Sequence, residues 1–569
     1  MSRFFCSNEI MYAIIGEKER IFGEYTVKRF KLFLAMAALA CAIGLTVKYG
    51  STYRPVVEPV REIEEIWALE DAREESEEPL VTRLFCNGIP MAYDAENNVF
   101  YGSLGLENGA QWPEIKLTAS EEVAKGLSLC FADDYGFDDC DAAIREGYSY
   151  QIFAYTDTTY SYAEVVFTGL PLVNVTADQT IEREDVPAQI EIALAAEGLQ
   201  TNGRIHKRGG ASILNDKVGY KLEFTRTTDG KKKIYREIPG MGTDSQVILL
   251  PMNALDTTMM RDRLSWALYA RLTRRDEPFS ARKTQYCELF LNGEYRGVYL
   301  MLEPFSVRQE VAKAGEERLT TDSVYRTAVI SLSHGRPCME DPYSAATGFE
   351  LYYPMDGEPD FSPLADYFAL LGETDDAAFM RRAAQIIDLD SALRYDVVLQ
   401  LFGLTDNVIN NMYTWAQNSR GHTRYRFDFW DLDVSWGLKR DEIGEMHENW
   451  VFFPLVDRLL RADEEGGVRQ RYGEIYREVR EKAFDTEMVE ALVGQYAHEL
   501  NDSGAMARNA ERWETENYAA DGYELVAFAA ERIALLDEPV RAMSAGEEID
   551  LRFLEKTNYD DKGTPLSEE

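Results

Sequence analysis

Histidine and cysteine are scarce in this chain, which has five histidines and seven cysteines among its 569 residues. The cysteines lack the short paired spacings that zinc sites require, so a zinc centre is not expected. Cys130 and Cys140 are close enough in sequence to pair in an exported domain. The favoured interpretation is that both, like Cys287, are small buried apolar residues.

Positive charge is also in short supply. The chain has 60 lysines and arginines against 99 aspartates and glutamates, which gives a net charge of −39. Over most of such a surface nothing offsets the repulsion of nucleic-acid phosphates. The composition therefore excludes a nucleic-acid binder and fits an acidic, surface-exposed protein body.

One hydrophobic run approaches the length that spans a membrane. It extends from Leu32 to Val47, is lengthened by Phe30, and is preceded by Lys28, Arg29 and Lys31. We predict an uncleaved anchor over residues 30–49, with residues 1–29 in the cytoplasm and the remaining body exported. A signal peptide cleaved after the small-x-small sequence 38–40 is the close alternative, and lipidation at Cys41 is a third.

The rest of the chain divides by composition into four parts. Residues 50–80 are an acidic linker, and residues 81–170 contain short alternating runs between turn signals that predict a small all-β sandwich domain. Residues 171–541 begin with strands, to about 305, and continue with helices after about 360. Residues 542–569 form a polar C-terminal tail.

The chemistry-bearing segment runs from Leu404 to Gly437. Asp406 is followed five residues later by Asn411, and a β-like run (425–430) then ends in Asp431 and Asp433. Protein kinases use this order: an aspartate takes the acceptor proton, and an asparagine and a later aspartate hold Mg²⁺ on the ATP phosphates. The competing interpretation is a set of ordinary Asp- and Asn-rich turns.

A glycine-bearing strand–turn–strand lies at 203–224, with Lys217 leading into the second strand. Such a turn can present backbone N–H groups to phosphate, and the lysine can reach the same oxygens; a plain hairpin turn is the alternative. Glu303, at the end of a later strand, is a candidate partner for Lys217, as in the kinase Lys–Glu pair. A solvent-facing carboxylate at a strand end remains the alternative interpretation.

Three further patterns predict the framework around these residues. Residues 256–272 read as a helix with Asp256 as its N-cap, and Asn292-Gly293 marks a tight hairpin turn between two apolar strands. Helical spacing of apolar residues predicts helices at 363–371, 376–387 and 390–404, the last of which leads into Asp406.

Five segments together resemble the spore-coat-protein-H (CotH) kinase family over roughly residues 172–541. They are RGGASILNDKVGYKLEF (208–224), DTTMMRDRL (256–264), ELFLNGEYRGVYLMLE (288–303), LTDNVINNMYTW (404–415) and FWDLDVSWG (429–437). The hairpin and the WDLD segment are the most specific. The resemblance implies an α+β fold, an atypical protein-kinase-like core with a β-rich N-lobe and a helical C-lobe. It also implies a secreted or surface-located protein kinase that uses ATP and Mg²⁺ or Mn²⁺.

The resemblance also implies roles for individual residues. Asp406 is similar to the catalytic aspartate, and Lys217, Arg208 and Glu303 fall at nucleotide-binding positions. The metal ligands implied are Asn411, Asp431 and Asp433, with Asp431 favoured over Asp433 as the principal one. One departure is Gly210, where the family commonly has asparagine.

The predicted function is metal-dependent transfer of phosphate from ATP to Ser or Thr of a protein on the cell or spore surface. An alternative is a membrane-tethered scaffold whose kinase-like core has lost catalysis. The glycine at 210, where the family commonly has asparagine, is the feature that supports this alternative. A hydrolase that uses two close aspartates as acid and base ranks last, because it leaves Lys217 and Asn411 without a role.

Overall fold

The computed structural model describes residues 55–59, 61–111, 115–120, 126–132, 139–209, 211–252, 256–273, 281–327, 348–355, 358–438, 450–451 and 453–547. The predicted anchor at 30–49, Cys41 and Gly210 lie outside the described residues. Among the helices inside these ranges, none combines the length and the apolar character needed to cross a bilayer.

The N-terminal region folds as two sheets with two short helices. Its strands are β1 (Val57–Glu58), β2 (Glu74–Glu75), β3 (Leu84–Cys86), β4 (Ile89–Pro90), β5 (Ala92–Asp94), β6 (Val99–Ser103), β7 (Leu117–Ala119), β8 (Ser128–Phe131), β9 (Ser149–Tyr155) and β10 (Thr159–Thr168), and its helices are α1 (Ile63–Asp71) and α2 (Cys140–Glu146). The larger sheet has the order β1-β8-β9-β10-β6-β5, with β2 beside β10, and the smaller sheet has the order β4-β3-β7.

This region differs from the predicted all-β sandwich. Helix α2 packs its buried Cys140, Ala143 and Ile144 against the larger sheet, so its helical face replaces part of a second β-layer. The helix ends are well specified locally: the Asp139 side chain accepts a hydrogen bond from the Asp141 N–H, and Gly147 takes the left-handed conformation at the C-terminus. The region is therefore mixed α and β.

A closed seven-stranded sheet follows, with the order β11-β12-β13-β14-β17-β19-β18. Its strands are β11 (Leu172–Thr176), β12 (Val186–Leu194), β13 (Glu197–Arg208), β14 (Gly219–Thr225), β17 (Gln246–Leu250), β18 (Thr284–Leu291) and β19 (Glu294–Leu302); the hairpin β15 (Arg236–Ile238) and β16 (Gly242–Asp244) lies between β14 and β17. Residues of period two, such as Tyr220, Leu222 and Phe224 on β14, fill its interior. The predicted β18–β19 hairpin is confirmed, and its turn residues Asn292 and Gly293 have φ of 54° and 79°.

The predicted helix at 256–272 is shorter in the structure. Helix α3 (Arg261–Tyr269) begins five residues later because the Asp256 side chain accepts hydrogen bonds from Thr258, both from its N–H and from its hydroxyl, and closes a turn instead. Met259 has a φ of 57°, which no α-helix contains. Asp256 therefore closes the turn before the helix, and its Oδ2 also accepts from the Arg261 N–H at 3.2 Å, so it binds the start of the helix from five residues upstream while Met260 occupies the N-cap position.

The C-terminal half is dominated by helices around a four-stranded sheet with the order β21-β20-β22-β23. Its strands are β20 (Ser323–Thr327), β21 (Phe349–Tyr353), β22 (Met412–Ser419) and β23 (His422–Phe429). The helices are α4 (Val307–Lys313), α5 (Ala365–Leu371), α6 (Asp376–Ile386), α7 (Leu389–Phe402), α8 (Asp406–Ile409), α9 (Pro454–Arg461), α10 (Gly467–Ala483), α11 (Thr486–Asp502), α12 (Ala505–Trp513) and α13 (Tyr523–Ser544). Helices α5, α6 and α7 match the three predicted helices to within about two residues at each end.

Helix α7 sets the position of the chemistry-bearing segment. It is buried along most of its length, from Ala392 to Phe402, and it ends at Gly403, whose φ of 66° is typical of a left-handed helix C-terminus. Strand β23 packs against it, and the backbone N–H of Trp436 donates to the carbonyl of Phe402 at 2.8 Å. The chain between 403 and 437 is thus fixed at both ends by one buried helix.

Candidate active site

A cavity of about 660 Å³ lies where the closed sheet meets the helical half. Such a volume is within the range of small-molecule sites. Its lining combines five acidic residues with three arginines and several amide and hydroxyl groups. The lining residues are Arg183, Arg208, Gly209, Ser212, Asn215, Gly219, Leu250, Pro251, Met252, Asp256, Asp262, Arg326, Thr327, Asp406, Asn410, Asn411, Trp430, Asp431, Asp433 and Val434.

Asp406 is the first residue of helix α8 and is only 4% exposed. Two side-chain amides orient its carboxylate: Asn410 Nδ2 donates to Oδ1 at 3.1 Å, and Asn411 Nδ2 donates to Oδ2 at 2.9 Å. Because each oxygen has an amide donor, the carboxyl group is held in one orientation at the cavity wall.

Asn411 and Asp431 both have left-handed backbone conformations, with φ of 58° and 57°. Asparagine and aspartate tolerate this conformation better than most residues do, and non-glycine residues in it cluster at functional sites. The two segments are joined directly, since the Trp430 N–H donates to the Asn411 carbonyl at 3.0 Å. Asn407 Nδ2 donates to the Trp430 carbonyl at 2.7 Å and strengthens this connection.

Asp431 and Asp433 alternate with the buried residues Leu432 and Val434. Both carboxylates line the cavity, as does Val434, while Leu432 between them is part of the hydrophobic core. The side-chain nitrogen of Asn411 donates to Asp406, so the side-chain oxygen of Asn411 is the atom that can bind a cation in the cavity.

Helix α3 braces the 431–436 segment at three points. Asp262 Oδ1 accepts from the Leu432 N–H at 3.1 Å, Arg261 Nε donates to the Ser435 carbonyl at 3.1 Å, and Trp436 Nε1 donates to Ser265 Oγ at 2.8 Å. Arg261 is itself paired with Asp256. The acidic segment therefore takes its position from a helix about 170 residues earlier in the chain.

Asp262 is a cavity residue that the sequence analysis did not single out. Burial, and then the negative charge of Asp431, raise the pKa of its carboxyl group to about 8. A perturbed carboxyl group of this kind in a cleft is typical of functional sites. The signal in the sequence was the charged triplet Arg261-Asp262-Arg263 inside a segment predicted to be a helix.

Arg208, predicted at a nucleotide-binding position, lies in the cavity at the end of β13. Its guanidinium carbon is 5.9 Å from the centroid of the Trp430 ring. Arg183 and Arg326 also line the cavity, and Arg326 is paired with Glu350 at 2.6 Å. These arginines are the groups in the described cavity that can neutralise phosphate charge.

The structure does not bring Lys217 to this cavity, although the resemblance implied a nucleotide-binding position for it. Its Nζ donates to the Val298 carbonyl at 2.6 Å and to Asn509 Oδ1 at 3.0 Å, and it lies 5.0 Å from the centroid of the Tyr299 ring. The physical reason is that helix α12 packs on β19 and supplies the amine with a buried acceptor. Burial lowers the pKa of Lys217 to about 7.

Glu303 also lies outside the cavity lining. Its Oε2 accepts from the backbone N–H of Lys283 at 3.1 Å, across the end of the β18–β19 hairpin. The expected Lys217–Glu303 pair is not present, because each side chain is engaged by a different neighbour.

The donor set of the cavity suits a hard cation. Within the described ranges, no group of three or more histidine, cysteine or acidic side chains is arranged to enclose a metal. Mg²⁺ does not require such a cage, since it is commonly held by one or two carboxylates together with substrate phosphates. The oxygens of Asn411, Asp431 and Asp433, on one cavity wall, fit that mode of binding.

An acidic cleft between a β-rich part and a helical part, with an Asp-x4-Asn segment and a following aspartate, is the arrangement that protein-kinase-like proteins share. The sequence matches the CotH kinase protein family over residues 205–536, which is more than half of the chain. The chain belongs to the CotH kinase family, as the sequence motifs indicated. No curated protein matches it.

Proposed function

We propose that this protein is a metal-dependent kinase that transfers the γ-phosphoryl group of ATP to a serine or threonine hydroxyl of a protein. One observation carries the proposal: Asp406, Asn411, Asp431 and Asp433 line a single cavity together with Arg208. Membership of a kinase family supports the same reaction class.

In this proposal Asp406 accepts the proton of the acceptor hydroxyl. Its two amide donors keep the carboxylate facing the cavity, so that one oxygen can approach the hydroxyl. The hydroxyl oxygen forms a bond to the γ-phosphorus, the bond from that phosphorus to the β–γ bridging oxygen breaks, and ADP leaves with the electron pair of that bond.

Charge neutralisation is shared between a metal and the arginines. Asn411, Asp431 and Asp433 would hold Mg²⁺ or Mn²⁺, which when bound neutralises phosphate charge and polarises the phosphoryl group. Arg208, the last residue of β13, would bind phosphate oxygens in the same cavity. Without these positive charges, a protein of net charge −39 would repel a nucleotide tetra-anion.

The test is incubation of the full-length protein with γ-labelled ATP and Mg²⁺ or Mn²⁺, with self-labelling and labelling of an added protein as readouts. Asp406→Asn keeps the shape of the side chain but removes its proton acceptor, so we expect incorporation to fall about 100-fold or more. Asp521→Asn, at an exposed position, is the matched control. Wild-type incorporation by Asp406→Asn would refute the assignment.

The second candidate is a kinase-like scaffold that binds nucleotide without transferring phosphate. The observation that favours it is the cavity lining, which among described residues contains arginines and no lysine. A thermal-shift titration, combined with the labelling assay, separates the two candidates. If ATP and metal stabilise both wild type and Asp406→Asn, and neither protein transfers label, the protein is a scaffold.

We also propose that the protein body acts outside the cytoplasm, on a cell-surface or spore-surface protein. The support is the basic-flanked hydrophobic run before residue 50 and the family resemblance. Protease treatment of intact cells is the direct measurement, since an exported body is digested while cytoplasmic markers survive.

A further inference from the structure

One stretch of this acidic protein is strongly basic. Residues 203–237 contain ten lysines and arginines but four aspartates and glutamates, in a chain whose net charge is −39. The stretch covers the end of β13, all of β14 and the loop that leads to β15. In an acidic protein, positive charge concentrated on one surface indicates a binding function rather than a contribution to solubility.

The topology arranges several of these cations in a row that ends at the cavity. On β13, Arg204, His206 and Arg208 alternate with buried Ile205 and share the outward face of the closed sheet. Across the ladder, His206 lies opposite Lys221, and Arg208 lies opposite Gly219 at the cavity wall.

The far end of the row continues beyond β14. Arg226 and Lys232 are exposed and joined through their backbones, since the Arg226 N–H donates to the Lys232 carbonyl at 2.7 Å. We define the basic strip as the six lysines and arginines of this face: Arg204, Arg208, Lys221, Arg226, Lys232 and Lys233.

Nearby carboxylates neutralise only part of this charge. Glu223 pairs with Arg204 and, at 3.4 Å, with Lys233, and Asp185 lies 3.2 Å from Arg204. Arg208, Lys221, Arg226 and Lys232 form no ion pair with any residue that the structure describes. Burial, followed by the positive charge of Lys233, lowers the pKa of Lys221.

We propose that the basic strip binds an extended acidic segment of the protein substrate and directs its hydroxyl residue into the cavity. This inference rests on the proposed kinase function. An extended segment advances about 3.3 Å per residue, so the strip from Arg208 to Arg226 matches acidic side chains about three to seven residues from the acceptor. Arg208 itself binds nucleotide phosphate in the proposed function, so the members of the strip beyond it select substrates by charge outside the catalytic cavity.

A polypeptide fits this surface better than a nucleic acid does. The strip is short, and the remainder of the molecule is acidic, so a long polyanion would be repelled beyond the strip. A short acidic peptide meets only the basic face, and its uncharged hydroxyl residue can enter a cavity lined by Asp406 and the other aspartates.

The test is fluorescence anisotropy with the full-length protein and labelled peptides, without ATP. One peptide carries a serine followed by glutamates at the third to seventh positions after it, and its partner has glutamine at the same positions. The substitution pair Arg226→Glu with Lys232→Glu reverses two exposed charges of the strip. Its matched control is Arg477→Glu with Lys482→Glu, on exposed positions of helix α10.

We expect wild type and the control variant to bind the glutamate peptide about tenfold or more tightly than the glutamine peptide, and the strip variant to lose this preference. Equal affinity of wild type for the two peptides would overturn the proposal. So would an equal loss in both variants, or tighter binding of a single-stranded oligonucleotide of the same charge. Because no phosphate is transferred in this assay, its outcome is independent of the Asp406→Asn labelling result.

Discussion

Lys217 shows how strongly the surroundings of a single residue decide its role. Its amine is enclosed by the Val298 carbonyl, Asn509 and the rings of Tyr299 and Trp513. Asn509 Oδ1 also accepts from the Val298 N–H at 3.0 Å, so the lysine and the strand share one acceptor on helix α12. We infer that Lys217 stabilises the packing of α12 on the closed sheet and does not contact phosphate.

Substitution Lys217→Met tests this role. Loss of two buried hydrogen bonds is expected to reduce the free energy of unfolding by about 1–3 kcal/mol at alkaline pH, with the nucleotide dissociation constant unchanged. Arg208→Met, inside the cavity, is the control and is expected to weaken nucleotide binding. A large loss of nucleotide affinity in Lys217→Met at unchanged stability would contradict the assignment.

The pH dependence gives a second readout at this residue. The folded-state pKa of Lys217 is about 7 and its ordinary value is 10.5, so between these values the unfolded chain binds more protons. Stability therefore rises with pH across this window in wild type. In Lys217→Met that contribution is absent. The free energy of unfolding of wild type should therefore increase relative to that of the variant from pH 7 to about pH 10, which urea denaturation measures.

At the scale of elements, helix α3 organises the acidic segment. Arg261 is 4% exposed and connects Asp256 and Glu524 with the Ser435 carbonyl, while Asp262 and Ser265 bind the same segment on either side of it. The helix and the loop that carries Asp431 and Asp433 thus form one rigid unit. Damage to the helix is expected to reach the cavity through that loop.

Arg261→Met removes the centre of this unit and leaves Asp256 buried without its partner. We expect a loss of about 3–5 kcal/mol in stability and a fall in phosphate incorporation. Arg382→Met, which breaks a solvent-exposed pair with Asp366, is the matched control and should cost less than about 1 kcal/mol. Similar effects of the two substitutions on incorporation would show that α3 does not position the acidic segment.

At the scale of the whole molecule, the N-terminal region is packed onto the closed sheet. Tyr101 on β6 lies 4.9 Å from Phe290 and 5.6 Å from Tyr295, measured between ring centroids. A hydrogen bond from the Ala95 N–H to the Gly293 carbonyl at 2.8 Å adds to this contact. Another, from Thr168 Oγ1 to the carbonyl of Ser503 just after helix α11 at 3.2 Å, joins the N-terminal region to the helical half. The three aromatic residues belong to one buried apolar cluster that includes residues of both parts.

Tyr101→Ala is expected to uncouple the two parts. Truncation of a buried aromatic side chain costs about 3–5 kcal/mol, and here that loss falls on the junction and on one sheet. We expect the single thermal transition of wild type to separate into two in calorimetry, with the kinase-like part retaining its transition temperature. Tyr160→Ala, on the same large sheet but away from the junction, is the control. Two transitions in Tyr160→Ala would argue against a specific role of Tyr101.

The sequence by itself determined the local features of this protein and its family. The Asn292-Gly293 hairpin, the buried helix α7 and the spacing of Asp406, Asn411, Asp431 and Asp433 depend on neighbours a few residues apart, so local periodicity and turn chemistry were enough to predict them. The tertiary structure alone decided which charged groups join them. Lys217 is drawn away by Asn509, 292 residues later, and Asp262 is brought in by Leu432, 170 residues later. The direction of a side chain near an element's end depends on the distant element packed against it, and no local pattern encodes that choice.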